Sequence, residues 1–323
     1  MKYIIIFLMC CFSLNIAEAK NYKKSGFFTI NDEDKLKYSK NFKVDDPLNK
    51  IILLFNHGQD HTDRKSKHCV HTNMMLSLSK LVRDNKILDK EMLLYSFCTD
   101  HFQGDSYRVD WYQKKELIPY KGQTKMDKRV EAIAKLTDDF VELGVPRKQI
   151  IIVGNSCGAW ATLLTISQYP DKAAGGIGFM PACYGWFSKE IDDDGNITED
   201  IDAVFNLKKE WDPGFIPLRE KQQNIIKSAK SLPLLIFTNP DDPFEGKTSY
   251  WLKKIPNLEF IETPANKDGE YFINNEKCFV QPAKKKIAVE KWFDEPGHQI
   301  WQTDCFQYYD DTLIKYIEKR LSS

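Results

Sequence analysis

A serine between two glycines, placed where a β-branched run gives way to a helical pattern, is the residue of this 323-residue chain best suited to act as a nucleophile. Ile150, Ile151, Ile152 and Val153 suit a central parallel strand. Ala159, Trp160, Ala161, Leu163 and Leu164 suit a buried helix directly after it. Gly154 and Gly158 sit two residues either side of Ser156, where a larger side chain would strike the strand or the helix. The serine hydroxyl then projects at a helix N-terminus, where backbone amides favour negative charge. That chemistry is attack on a carbonyl, and an unactivated serine needs a neighbouring base to perform it. A second chemistry competes for attention in His57, His61, His68 and His71. The spacings His57-x-x-x-His61 and His68-x-x-His71 match zinc ligands only on a helix, and Gly58 with Asp60 argues for a loop. A solvent-exposed polar loop without metal is therefore the expectation for that stretch.

The turn Gly154-Asn155-Ser156-Cys157-Gly158, with its strand before and helix after, resembles the nucleophile elbow of the α/β-hydrolase superfamily. The resemblance runs over most of residues 26 to 321 and implies an α/β-hydrolase fold, a mostly parallel central sheet flanked by helices. It also implies the rest of the site. The strand Lys50 to Phe55 ends in Asn56-His57-Gly58-Gln59-Asp60, and in this family the loop there often carries His-Gly and a backbone donor. The N–H groups of Gln59 and Cys157 would then form the oxyanion hole. The triad acid falls in Asn239-Pro240-Asp241-Asp242-Pro243, after the strand Leu232 to Thr238. Asp242 fits the family's G-x-x-D spacing with Asn239 in place of the glycine, and Asp241 stays a rival; either could be only a turn-forming residue before proline. The base is His298, in Glu295-Pro296-Gly297-His298-Gln299-Ile300-Trp301 ahead of a C-terminal helix. Ser156, Asp242 and His298 follow the family order Ser, Asp, His. The stretch from 264 to 297 is longer than the family's usual loop before the histidine.

Several elements have to hold these residues in place. Phe27 to Ile30 and Leu36 to Val44 read as an antiparallel hairpin around Asn31-Asp32-Glu33-Asp34. Met74, Met75, Leu78, Leu81 and Val82 form a helical stripe, Met92 to Phe97 a strand, and Met126, Val130, Ile133, Leu136, Phe140 and Leu143 a second helix ended by Gly144 and Pro146. Gly176 to Pro181 and Leu258 to Thr263 read as later strands, and Tyr309, Leu313, Tyr316, Ile317 and Leu321 as the last helix. Phe102, Tyr107, Trp111, Tyr112 and Tyr120 wall the cleft or cover the core. Residues 184 to 230 exceed an ordinary connection and read as a small lid-like insertion with a helix from Leu218 to Lys230. Its Asp192-Asp193-Asp194-Gly195-Asn196 run lacks the calcium-loop glutamate, since Ile201 stands there, and is read as a solvated turn. Asn196-Ile197-Thr198 is a glycosylation sequon where the host permits.

Lys2, the apolar run from Tyr3 to Leu14 and Ala17-Glu18-Ala19 have the form of a signal peptide over residues 1–19, leaving one hydrolase domain over 20–323. Export, secreted or periplasmic, is the expectation. Lys plus Arg and Asp plus Glu both number 46, so no net charge argues for nucleic acid. No later apolar run is long enough to span a bilayer, and nothing in the pattern sets an oligomeric state. Six cysteines follow residue 19; from their positions in this fold, the pairings Cys69–Cys98, Cys157–Cys183 and Cys278–Cys305 are expected, against free buried thiols. The function implied is hydrolysis of small carboxylic esters through an acyl-enzyme, with no cofactor. A peptidase of the prolyl-oligopeptidase kind shares the triad order, and a non-catalytic binding protein on the same scaffold is the third reading.

Overall fold

The computed structural model describes residues 25–58, 72–98, 125–183, 215–240, 242, 246–263, 270–273, 276–280, 298 and 304–323. Its strands are β1 (Gly26–Ile30), β2 (Leu36–Ser39), β3 (Lys50–Asn56), β4 (Lys86–Ile87), β5 (Lys90–Phe97), β6 (Ile150–Asn155), β7 (Gly175–Phe179), β8 (Leu234–Thr238), β9 (Leu258–Glu262), β10 (Glu270–Ile273) and β11 (Glu276–Val280). Its helices are α1 (Thr72–Asp84), α2 (Lys125–Glu142), α3 (Cys157–Gln168), α4 (Phe215–Lys227) and α5 (Asp310–Leu321). Nine strands form one sheet in the order β2-β1-β5-β3-β6-β7-β8-β9, with β4 paired to β5. From β5 to β9 neighbours run parallel, while β1 is antiparallel to both β2 and β5.

Burial on both faces explains why the central strands read as unbroken apolar runs. Ile150 and Ile152 of β6 join a core with Ile52 and Leu54 of β3, Met126 and Phe140 of α2, Trp160 of α3 and Ile226 of α4. Ile151 and Val153 point the other way, into a core with Leu53 and Phe55, Met74 and Leu78 of α1, and Leu313 and Ile317 of α5. The sheet is thus the middle layer of three. β6 lies at its centre with β3 and β7 on its flanks, and α3 is apolar almost all round because it is buried from Cys157 to Ile166.

Several boundaries differ from the sequence reading. β2 stops at Ser39 instead of continuing to Val44; it is an edge strand whose residues alternate between half-buried and exposed, so little burial extends it. β7 stops at Phe179 because Met180 turns into left-handed backbone, φ 48°. α4 begins at Phe215, three residues before the expected Leu218, since Pro217 in its first turn lacks only an N–H that has no intrahelical partner there. The polar stretch between β9 and His298 holds an unexpected antiparallel hairpin, β10 with β11. The proposed signal peptide, the aromatic segment 99–123 and most of the lid-like insertion lie outside the described residues. Among the described residues, no helix is long and apolar enough to cross a membrane.

Asp310 opens α5 half-buried, and its carboxyl is pushed up to about 6, first by burial and then by the charges of Asp311 and Asp84. Its folded value lies above the unfolded one, so the folded state holds the proton longer as pH rises. Stability therefore falls between about pH 4 and 6 and stays lower above that window. Asp310→Asn should raise the melting temperature relative to wild type near neutral pH and lose that advantage near pH 4, measured by thermal unfolding at both values.

Candidate active site

Ser156 lies between the last residue of β6 and the first of α3, with φ 55° and ψ −124°. L-residues rarely adopt that backbone, so its surroundings must impose it. They do so through Ser156 itself: its N–H donates to Phe179 O at 2.8 Å, and its carbonyl accepts from Trp160 N–H at 3.0 Å. The first turn of α3 is packed hard against the end of β3. A Cβ on Gly158 would collide with the Asn56 carbonyl and come within 2.6 Å of the His57 carbonyl, so no side chain fits there. Gly58 answers the same constraint from the other side, since a Cβ would stand 2.9 Å from the Ser156 Cβ. The loop leaving β3 thus passes directly beside the serine.

Two long-range hydrogen bonds run in series to this turn. His298 Nε2 lies 3.0 Å from Ser156 Oγ, and His298 Nδ1 lies 2.9 Å from Asp242 Oδ2. An ionised carboxylate only accepts, so Nδ1 donates to it and Nε2 is left with its lone pair facing the serine hydroxyl. The Asp242 side chain is 0% exposed and that of His298 14%, which keeps competing water from the carboxylate. Asp242 is aimed by the turn after β8: its N–H donates to Asn239 O at 3.0 Å. Asn239, which replaces a glycine in the expected pattern, is itself buried and donates through Nδ2 to Thr263 Oγ1 at 2.8 Å, tying the acid loop to the end of β9. Asp242, one of the two rival acids, is in contact with the histidine; the other, Asp241, lies outside the described residues.

Cys157 is the first residue of α3, so its N–H belongs to the helix end that has no intrahelical acceptor. Gln59, expected as the second donor, lies outside the described residues. Of the four histidines weighed as zinc ligands only His57 is described, and it is not on an exposed loop: it is 2% exposed and its Nδ1 lies 2.6 Å from Gly58 O. Among the described residues, no group of three or more metal-ligating side chains occurs. His57 is held by a residue the sequence reading passed over. Arg129 of α2 is fully buried, and its Nη2 donates to the His57 carbonyl. The signal was present: Arg129 lies three residues after Met126 and four before Ile133, so a cation stands on the helix's apolar stripe.

Cys157 is also disulfide-bonded to Cys183, with Cα atoms 4.5 Å apart, as expected from the sequence. Cys98 and Cys305 are disulfide-bonded too; the partners expected for them, Cys69 and Cys278, have side chains outside the described set.

A family model described as Phospholipase/Carboxylesterase matches residues 99–195, the stretch that contains Ser156. No curated protein matches the chain. Among solved structures, the esterase Est22 is similar at 12% identity and a TM-score of 0.48, covering 84% of this chain and 72% of its own. One of two fungal esterases from Rhizomucor miehei is similar at 12% identity and a TM-score of 0.47, covering 86% and 77%. Oligopeptidase B from Trypanosoma brucei with covalently bound antipain is similar at 13% identity and a TM-score of 0.49; the match covers 86% of this chain and 34% of that one.

Proposed function

We propose that this chain, which belongs to the α/β-hydrolase superfamily and is of its esterase type, is an exported enzyme that hydrolyses small carboxylic esters with Ser156 as nucleophile, His298 as base and Asp242 as orienting acid. The observation that carries the reading is the unbroken relay from Asp242 Oδ2 through the His298 ring to Ser156 Oγ, on a strained strand-to-helix turn. In the first half-reaction Ser156 Oγ attacks the ester carbonyl as its proton passes to His298 Nε2. Asp242 holds the Nδ1 proton in place and stabilises the imidazolium. The carbonyl oxygen becomes an anion that Cys157 N–H and Gln59 N–H receive. Collapse expels the alcohol, which takes the proton back from His298, and leaves an acyl-serine. Water repeats the sequence, giving the acid and free enzyme. Every group this cycle uses belongs to the polypeptide.

The Cys157–Cys183 disulfide supports export, because such bonds persist in oxidising compartments. Removal of residues 1–19 as a signal peptide would deliver the domain there, secreted or periplasmic.

The test is to treat the protein lacking residues 1–19 with a fluorophosphonate and locate the adduct by mass spectrometry, beside a panel of p-nitrophenyl esters and peptide anilides. Labelling at Ser156 with faster turnover of esters than of anilides is expected. Labelling with preference for anilides would replace the esterase reading by a peptidase, and a folded but unlabelled protein would leave only a binding role.

A further inference from the structure

The end of β7 and the segment that follows it are fastened to the serine turn at four points. Ser156 N–H donates to Phe179 O at 2.8 Å, Ala182 N–H donates to Ser156 O at 3.4 Å, and Ser156 Oγ lies 3.3 Å from Ala182 O. The fourth fastening is covalent, Cys157 to Cys183. The segment is not a strand: it leaves the sheet at Met180, whose N–H donates to Phe237 O on β8. Cys157 is 1% exposed and opens α3, while Cys183 is half-buried and directly follows Ala182. One covalent bond therefore joins the first residue of α3, whose amide is the oxyanion donor of the reading above, to the residue after Ala182, whose carbonyl lies beside the Ser156 hydroxyl.

We propose that the Cys157–Cys183 disulfide is a positioning element of the catalytic centre, fixing the Cys157 amide in the orientation that receives the oxyanion. This rests on the esterase reading above. An oxyanion donor is useful only within a few tenths of an ångström of where charge develops, and its worth comes from being held there before the reaction starts. Ser156 occupies a backbone region that an unrestrained chain leaves, and the peptide it shares with Cys157 carries that amide. Beyond β7 the Ala182 contacts, at 3.3 and 3.4 Å, are long and yield easily, so in that segment the covalent link is the stiff one. A bond that served only as a staple would act on stability alone. This one acts on the transition state, because the group it restrains contacts the oxyanion.

The test is the double variant Cys157→Ala with Cys183→Ala, which removes the link without leaving a lone thiol. Expected is a fall in kcat of about 10- to 100-fold with KM within a few-fold of wild type, and fluorophosphonate labelling of Ser156 slowed by a similar factor. Unchanged kcat and labelling rate with a lowered melting temperature would overturn the proposal and leave a staple. Should the double variant not fold, the wild type is reduced below its unfolding temperature with a water-soluble phosphine. Each disulfide takes two electrons and two protons to give two thiols, and the phosphine leaves as its oxide with oxygen from water. Alkylation mapping of quenched samples then counts Cys183 thiols apart from those of Cys98 and Cys305. Activity that falls in proportion to Cys183 thiol and returns on reoxidation supports the proposal; full activity at complete reduction of this pair overturns it. A wild type that never labels would instead sink the esterase reading itself.

Discussion

Ser156→Ala is expected to lower kcat for ester hydrolysis by about a million-fold and to leave the melting temperature within a degree or so of wild type. The size follows from the relay, since without Oγ the His298 ring has no proton to take and no covalent intermediate forms. The neutrality toward stability follows from the backbone. Every hydrogen bond that pins the turn through its main chain, to Phe179, Trp160 and Ala182, survives the substitution, and alanine bears the same positive φ. Ser156→Gly is the informative companion: equally inactive, but more stable by roughly 1 kcal/mol, because glycine occupies that backbone without strain. Steady-state kinetics and thermal unfolding of both variants check the pair. Retained turnover in either would remove Ser156 from the reaction, and equal stability of the two would mean that the turn is unstrained.

Asp242→Asn is expected to lower kcat by about 10,000-fold with KM changed only a few-fold. Asparagine is nearly isosteric, so the buried site keeps its packing, but its amide NH2 can meet Nδ1 as a donor. The histidine then takes the tautomer with its proton on Nε2, facing Ser156, and cannot accept another. Fluorophosphonate labelling of Ser156 should slow in parallel, since it uses the same base. Asp241→Asn, one residue away, leaves kcat within a few-fold of wild type. If the Asp241 variant proved the inactive one, the assignment of the acid would be reversed.

What could be read without coordinates was whatever is repeated locally. The serine turn, β3, β6, β8 and the apolar stripes of α1, α2 and α5 each carry their own periodicity or double-sided burial, and the structure has them within a few residues. The acid was narrowed only to two adjacent aspartates, because a turn after a strand displays no period, and the side chain that reaches His298 is decided by the Asn239 and Thr263 contacts across β9. Arg129 escaped notice because a charge inside an apolar stripe breaks the pattern being counted. Ala182 could not be found at all: it contributes a carbonyl and an N–H, which every residue but proline possesses, so nothing in its identity marks it. The hairpin β10–β11 is short, and its pairing depends on residues that meet only once folded.

The strand order has a consequence for biosynthesis. Starting from β3, the strands β6, β7, β8 and β9 add to one side of the sheet in the order in which a ribosome makes them. The serine turn can be built as soon as β7 has arrived to receive the Ser156 N–H, but Asp242 comes only after β8 and His298 56 residues after Asp242. A chain still emerging from a ribosome can therefore carry Ser156 on its strand-to-helix turn before the imidazole that meets its hydroxyl has been made. The contact between Ser156 and His298 is thus among the last this polypeptide can make, and the core face that receives α5 is completed only after it.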